Sequence, residues 1–334
     1  MKKKYQYSLI FLSIMLLTAC NEKNEVVLYS TIDQVFSEPI LQDFEKETGI
    51  HIKAVFDTEE TKSTGVLNRL LAEKDHPQCD VFWSGDPMRT IILKNNGLTE
   101  AYQAKNAAEI NAVFKDKDHH WTGFSARARI LIYNKKLITL DSCPQSIFDL
   151  TQAKYKANVT IANPLFGTTT FHMAALFTHL GDQKALQLLN DLKKNQIVIA
   201  TSNGDVKKRV MQGEVACGIT DTDDAFEAMA ENKDIGIIFL DQQGMGSLIM
   251  PNTVNLIHQS PNPENGKKLI DYLLSKETEA KLAKSCAQMP LHKDVTIPQN
   301  MPSLDHIKPM DIDYEKTAQK MTEIQSILQK WVSE

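Results

Sequence analysis

The sequence predicts an α/β fold. Short apolar segments rich in Val, Ile and Leu alternate with segments whose apolar residues recur at helical spacing, and glycine, proline or capping residues separate them. The 334 residues are 42% hydrophobic and 24% charged, with 14 Gly and 12 Pro, which excludes collagen-like, low-complexity and disulfide-dense chains. The length predicts about two domains. This alternation favours mostly parallel sheets flanked by helices, with ligand sites beyond the carboxyl ends of the strands.

Residues 1–20 are expected to be an export signal and not part of the fold. Lysines at 2–4 precede an apolar run over 9–17 that is too short to span a bilayer as a permanent helix. The run ends in LTAC, which resembles a bacterial lipobox and implies that Cys20 is acylated; an ordinary cleaved signal with an incidental cysteine is the alternative. We therefore expect an exported protein, lipid-anchored at the cell envelope in the periplasm or on the outer face of a bacterial membrane.

The first half of the chain predicts three strand–helix units. The first helix carries Phe36, Ile40 and Phe44 on one face and stops at Gly49, and Pro87 suits the first position of the third helix. The predicted segments are a strand at 25–30, a helix at 36–48, a strand at 51–56, a helix around 66–71, a strand at 80–84 and a helix from 87 to 97.

A second alternating series follows a strand at 129–133. It comprises a strand at 159–162, helices at 169–180 and 185–194, a strand at 197–200, a helix after 203, a strand at 216–220, a helix from 223 and a strand at 235–240. The remainder predicts a strand-like stretch over 248–257, helices at 265–274 and 277–284, and one long helix at 314–332.

Four turns between a strand and a helix are rich in small polar residues and Asp. They read YSTID (29–33), WSGDP (83–87), NPLFGTTT (163–170) and ITDTDD (219–224). Backbone amides at helix N-termini together with Ser and Thr hydroxyls suit polar or anionic ligands, although any single turn of this kind is equally explained by helix capping.

After Cys20, four cysteines remain: Cys79, Cys143, Cys217 and Cys286. An exported chain could pair them in three ways that the sequence does not distinguish. None has metal-ligand spacing, and each lies in an apolar or helical context, so buried free thiols are our favoured interpretation.

These segments resemble extracellular solute-binding proteins of ABC importers. The resemblance lies in EVVLYSTIDQVFSEPILQDFEKETGI, DVFWSGDPMRTIILKNNGL, GEVACGITDTDDAFEA and NPENGKKLIDYLLS, and it is to the cluster that includes ferric-ion, phosphonate, hexose-phosphate, polyamine and thiamine binders. It implies a type II periplasmic-binding-protein-like fold: two lobes, each with a mixed, mostly parallel sheet flanked by helices, which close over a small solute and hand it to a permease and ATPase complex. We expect lobe 1 at 25–125 plus 250–334 and lobe 2 at 126–249.

The ferric binders of this cluster carry a His in the first turn, an acid in the second and adjacent tyrosines in the fourth. Here Asp33, Gly85 and the pair Thr222-Asp223 stand at those places, so the sequence departs from a tyrosine-type ferric site. Asp33 and Asp223 would be metal ligands only if the cargo is Fe(III). An organic solute such as an aminoalkylphosphonate, a phosphate ester, a polyamine or thiamine is the alternative.

The acidic turns suit a cationic group, and the start of the helix near 167 suits an oxyanion. A zwitterion satisfies both. The predicted ligand-binding residues are Tyr29, Ser30, Thr31, Asp33, Ser84, Gly85, Asp86, Arg127, Gly167, Thr168, Thr169, Asp221 and Asp223.

Other function classes are disfavoured by charge and motif content. A formal net charge of −5 argues against nucleic-acid binding. No G-x-S-x-G, H-E-x-x-H or P-loop pattern is present, and no cysteine lies at the carboxyl end of a strand as a thiaminase-like enzyme on this fold would require. We predict a monomeric binding protein without catalytic residues or cofactor.

Overall fold

A computed structural model describes residues 24–57, 65–299 and 301–333. The predicted export signal and Cys20 lie outside these residues. The strands are β1 (Glu25–Ser30), β2 (His51–Phe56), β3 (Val81–Ser84), β4 (Thr99–Glu100), β5 (Thr122–Asn134), β6 (Val159–Ala162), β7 (Val198–Ala200), β8 (Cys217–Asp221), β9 (Ile235–Ile238) and β10 (Ile249–Ile257). The α-helices are α1 (Gln34–Thr48), α2 (Gly65–Ala72), α3 (Pro87–Asn95), α4 (Gly167–Leu180), α5 (Asp182–Lys194), α6 (Asn203–Gln212), α7 (Thr222–Glu231), α8 (Pro263–Leu273), α9 (Lys276–Cys286), α10 (Tyr314–Glu323) and α11 (Gln325–Ser333).

Strand pairing joins two parallel blocks through two long antiparallel strands. The order is β2-β1-β3-β10-β5-β8-β6-β7, with β4 on β10 and β9 on β5. The pairs β2-β1, β1-β3, β8-β6 and β6-β7 are parallel, and every pair that involves β5 or β10 is antiparallel. The predicted α/β class with mixed, mostly parallel flanking blocks is therefore confirmed.

The strand β5 is much longer than the five-residue segment predicted from its apolar letters. Residues 122–128 pair with β10, and residues 129–134 pair with β8 and β9. The register of β5 and β10 shifts between Pro251 and Asn252, and Ser125 has a positive φ of 45°. The N-terminal half of β5 contains the small and polar residues GFSARAR, which give no apolar pattern although the strand is buried on both faces.

The helix boundaries follow local signals that the sequence displays. Gly49 ends α1 in the left-handed conformation (φ 68°) and donates its N–H to Glu45 O. Pro87 opens α3, and the Asp86 side chain accepts from the N–H of Met88. The predicted ends of both helices are confirmed within two residues.

The C-terminal segment differs from the predicted single helix. It is broken at Ile324 into α10 and α11. Trp331 of α11 is buried and its indole N–H donates to Leu189 O of α5 at 2.8 Å, and Leu328 lies in the same apolar cluster as Leu189 and Leu192. Apolar periodicity predicts the buried face of a helix but not the partner that covers it.

The four cysteines are buried free thiols, as predicted. Burial raises the pKa of the Cys143 thiol to about 11 and those of Cys217 and Cys286 to about 12. Across the described ranges, no helix combines the length and the apolar character that a membrane crossing needs.

Candidate ligand-binding site

A cleft of about 580 Å³ lies at the carboxyl ends of five strands, a size suited to a small organic ligand. The loops after β1, β3, β6, β7 and β8 form its walls, and each loop leads into a helix: α1, α3, α4, α6 and α7 respectively. The lining residues are Thr31, Asp33, Gly85, Asp86, Arg89, Arg127, Ala162, Asn163, Phe166, Gly167, Thr168, Thr169, Thr201, Ser202, Asn203, Gly204, Asp221, Asp223 and Asp224.

Five helix N-termini therefore converge on one cavity. The first amides of an α-helix have no acceptor within the helix, and the helix dipole adds partial positive charge at that end. Gly167 opens α4 with φ 58°, a conformation that favours glycine, and no atom lies within 4 Å of the place a Cβ would occupy. The backbone of this wall is thus open to a ligand, and it favours an oxyanion.

A buried ion pair forms the back of the cleft. Arg129 Nη1 donates to Asp221 Oδ1 at 2.7 Å, and both side chains are only 1% exposed. The same nitrogen reaches Thr168 Oγ1 at 3.2 Å and Asn203 Oδ1 at 3.1 Å, while Asn203 Nδ2 and Thr168 Oγ1 donate to Asp221 Oδ2 at 3.0 and 2.8 Å. This network holds the starts of α4, α6 and α7 in fixed positions around the cavity.

Arg127, two residues earlier on β5, faces the cavity itself. Its Nη2 donates to Gly85 O at 2.6 Å, and its Nη1 lies 3.5 Å from Asp223 Oδ2 and 3.6 Å from Asp221 Oδ2. Its Nε is buried and has no partner among the described residues. This guanidinium retains hydrogen-bonding capacity for a ligand.

Three carboxylates gather at the start of α7. Asp221, Asp223 and Asp224 each place one oxygen within 4.8 Å of the others. Burial, together with the charges of Asp223 and Asp221, raises the pKa of Asp224 to about 7. Burial and the charge of Asp221 also raise the pKa of Asp223, although Arg127 opposes the shift. A cationic ligand group would relieve this repulsion.

The opposite wall holds two further aspartates in different roles. Asp86 caps α3 and forms an ion pair with Arg89, so its oxygens are engaged by protein donors. Asp33 stands at the N-cap position of α1, is exposed and faces the cavity. Asp33 is therefore the carboxylate of this wall that is more accessible to a ligand.

The structure brings most of the predicted ligand-binding residues to this one cavity. Those that line it are Thr31, Asp33, Gly85, Asp86, Arg127, Gly167, Thr168, Thr169, Asp221 and Asp223. They are spread along the chain from Thr31 to Asp223, so their convergence follows from strand order and not from local spacing.

Tyr29, Ser30 and Ser84, which were also predicted as ligand-binding residues, do not line this cavity. The hydroxyl of Tyr29 donates to Glu73 at 3.0 Å, inside an apolar cluster beyond the sheet. Ser30 and Ser84 are fully buried, and their hydroxyl oxygens accept the N–H of Ile32 and of Asp86. The two serine side chains therefore shape the turns that follow β1 and β3.

The sequence analysis missed Arg129 and the loop Thr201, Ser202, Asn203 and Gly204. The loop follows an apolar strand and precedes a helix in the same way as the four turns that were identified, so its letters carried the signal. Arg129 lies two residues after Arg127 in an otherwise apolar strand, and i, i+2 spacing places both on one face. The cleft residues Arg89, Asn163, Phe166 and Asp224 were not among the predicted ligand-binding residues, although the last three lie in two of the turns that were identified.

Comparison with known proteins agrees with this architecture. The family model described as "Bacterial extracellular solute-binding protein" matches residues 40–308, most of the chain. The chain belongs to this family. The solute-binding protein is 24% identical over 299 residues to "Iron uptake protein A1" of Synechocystis, covering 86% of this chain and 81% of the relative.

A second relative of the solute-binding protein is named for an organic solute. The "Putative 2-aminoethylphosphonate-binding periplasmic protein" of Salmonella typhi is 28% identical over 269 residues, covering 79% of this chain and 75% of the relative. Among solved structures, iron-bound HitA from Pseudomonas aeruginosa superposes with a TM-score of 0.81 at 20% identity, over 91% of this chain and 99% of that one. The fold and the role as a solute-binding component of an importer are thereby established, and the predicted family is confirmed.

Proposed function

We propose that this solute-binding protein captures a small zwitterionic solute with an oxyanion at one end and an ammonium group at the other. The observation that carries the proposal is the convergence of five helix N-termini and Arg127 on a cleft that also holds Asp33, Asp223 and Asp224. Aminoalkylphosphonates have this chemistry.

The oxyanion subsite lies between Arg127 and the start of α4. Arg127 offers a guanidinium with an unpartnered buried Nε, and the Thr169 hydroxyl with the first amides of α4 supplies neutral donors. A guanidinium and a helix N-terminus together are the usual environment for a phosphate-like group. This half of the cleft disfavours a bare cation.

The ammonium subsite lies beside Asp223 and Asp224, with Asp33 facing it from the other wall. Burial, together with the charge of neighbouring carboxylates, raises the pKa values of Asp223 and Asp224, so a positive group beside them would stabilise their ionised forms. A bound ammonium would supply the missing positive charge.

Ferric ion is the second candidate, and the close oxygens of Asp221, Asp223 and Asp224 favour it. Hard cations prefer such anionic oxygen ligands. The cleft lining contains no Tyr or His among its described residues, and guanidinium groups already contact Asp221 and Asp223. The predicted metal role of Asp33 and Asp223 therefore stays conditional on iron as cargo.

The remaining features of the role are part of the same proposal. The chain is anchored through acylated Cys20 and acts as a monomer. Lobes at 25–125 with 250–334 and at 126–249 close over the solute through the crossing strands β5 and β10. The closed form then delivers the solute to an ABC permease and its ATPase. No chemical conversion is involved.

Calorimetric titration of the purified protein with 2-aminoethylphosphonate, Fe(III) citrate and Fe(III) alone tests the proposal. We expect saturable binding of the phosphonate, and an added unfolding free energy of about 3 kcal/mol at a hundred times its Kd. Saturable binding of either iron form, with none of the phosphonate, would replace it with the ferric alternative.

A further inference from the structure

The two arginines of β5 have different surroundings although they are two residues apart. Arg129 makes a short 2.7 Å contact with Asp221, and its side chain is 1% exposed. Arg127 lies 3.5 Å from Asp223, beyond the usual 2.7–2.9 Å of a charge-assisted bond, and the two side chains are 17% and 29% exposed. The first pair is a fixed part of the wall, and the second is loose and reaches the cavity.

Arg127 also connects two separate walls of the cleft. Its Nη2 donates to Gly85 O in the loop after β3, while its Nη1 faces Asp223 at the start of α7. Asp223 Oδ1 accepts the N–H of Asp224 at 3.1 Å, which leaves Oδ2 as the atom facing Arg127. Arg127 thus has one tight contact, with the Gly85 carbonyl, and one long contact, with Asp223 Oδ2.

Resting on the proposed zwitterionic solute, we propose that Arg127 and Asp223 form a charge-exchange pair. In the empty cleft each neutralises the other at long range. The solute separates them: its oxyanion takes Nη1 of Arg127, and its ammonium takes Oδ2 of Asp223. No covalent change occurs.

This exchange makes discrimination depend on both charges of the solute. A monoanion that occupies Arg127 leaves Asp223 without its counter-charge in a partly buried site. A monocation that occupies Asp223 leaves Arg127 with only the long 3.6 Å ionic contact to Asp221, a carboxylate that Arg129 already neutralises. Only a solute that carries both charges replaces both members of the pair. Arg127 and Asp223 are therefore specificity-determining residues for zwitterions over singly charged analogues of the same size.

The test uses 2-aminoethylphosphonate and propylphosphonate, which differ by a methyl group in place of the ammonium. Calorimetry on the wild-type protein should show at least about 30-fold tighter binding of the zwitterion. In Asp223→Asn the ratio of the two dissociation constants should fall to within about 3-fold, chiefly because the protein binds the zwitterion more weakly. Asp223→Glu, which keeps the charge, should restore most of the preference.

Glu227→Gln is the matched control, because it removes one negative charge from the same helix at a side chain that is 60% exposed and bonded to Lys207. Its ratio should equal that of the wild type. Thermal unfolding of each ligand-free variant checks that the fold is intact, since Asn is well tolerated in the first turn of a helix.

The outcomes separate the two proposals. Failure of the wild type to bind 2-aminoethylphosphonate overturns the proposed function and the exchange together. The exchange is overturned, while the proposed function stands, if the wild type strongly prefers the zwitterion and Asp223→Asn keeps that preference. It is likewise overturned if Glu227→Gln abolishes the preference as fully as Asp223→Asn does.

Discussion

Replacing Arg129 with Met should strongly destabilise the ligand-free protein. The substitution leaves Asp221 buried without its closest counter-charge, and breaking a buried pair from one side costs about 3–5 kcal/mol. Asp221 keeps the Thr168 hydroxyl at 2.8 Å, the Asn203 amide at 3.0 Å and Arg127 at 3.6 Å. These remaining partners place the expected loss at the lower end, about 3 kcal/mol of unfolding free energy.

The assay is urea unfolding at pH 7, followed by circular dichroism, of the wild type, Arg129→Met, Asp221→Asn and the double variant. The double variant should lose about 2 kcal/mol less unfolding free energy than the sum of the two single losses. The reason is that the second substitution removes the buried charge that the first one leaves unpaired. Arg129→Lys keeps the charge but loses the planar fork, and should cost about 1–2 kcal/mol. A loss below about 1 kcal/mol in Arg129→Met, or additive losses in the double variant, would refute the reasoning.

Three further predictions concern pH and the C-terminal helix. Asp224→Asn should raise the ligand-free unfolding free energy by about 1–2 kcal/mol at pH 8 and by little at pH 4. The reason is that the pKa of Asp224 is raised to about 7, so its ionisation destabilises the folded protein as the pH rises from about 4 to 7. An equal effect at both pH values would contradict this. Burial alone would lower the pKa of His292, but its bond to buried Glu279 outweighs this and raises it, so the pair stabilises fully below about pH 6.5 and progressively less as the pH rises through the raised value. Glu279→Gln should therefore destabilise more at pH 6 than at pH 9 in urea unfolding, and a loss that does not vary with pH would contradict it. Trp331→Ala should lower the unfolding free energy by about 3 kcal/mol and Trp331→Phe by about 1 kcal/mol, since the indole is buried and bonded to Leu189. An unchanged unfolding free energy in Trp331→Ala would contradict this.

The sequence by itself determined the element types and where the ligand site would be sought. Strand–helix alternation is a local property, set by apolar spacing and by stop signals such as Gly49 and Pro87, and the structure repeats it. Turns that follow a parallel strand share one edge of the sheet, so residues such as Asp33 and Thr168 could be assigned to one site before any distance was known. The buried state of the four cysteines followed from the same apolar context.

Only the tertiary structure decided which polar residues meet in the cleft and which are bonded to other parts of the protein. Tyr29 bonds to Glu73 and Trp331 bonds to Leu189 of α5, contacts that span 44 and 142 residues of chain. The pairing of Arg129 with Asp221 likewise joins residues 92 apart. Local patterns fix backbone conformation within a few residues, whereas burial and charge pairing depend on strand order and on which face a neighbouring element covers. That is why the sequence located the cleft but not the different roles of Arg127 and Arg129 within it.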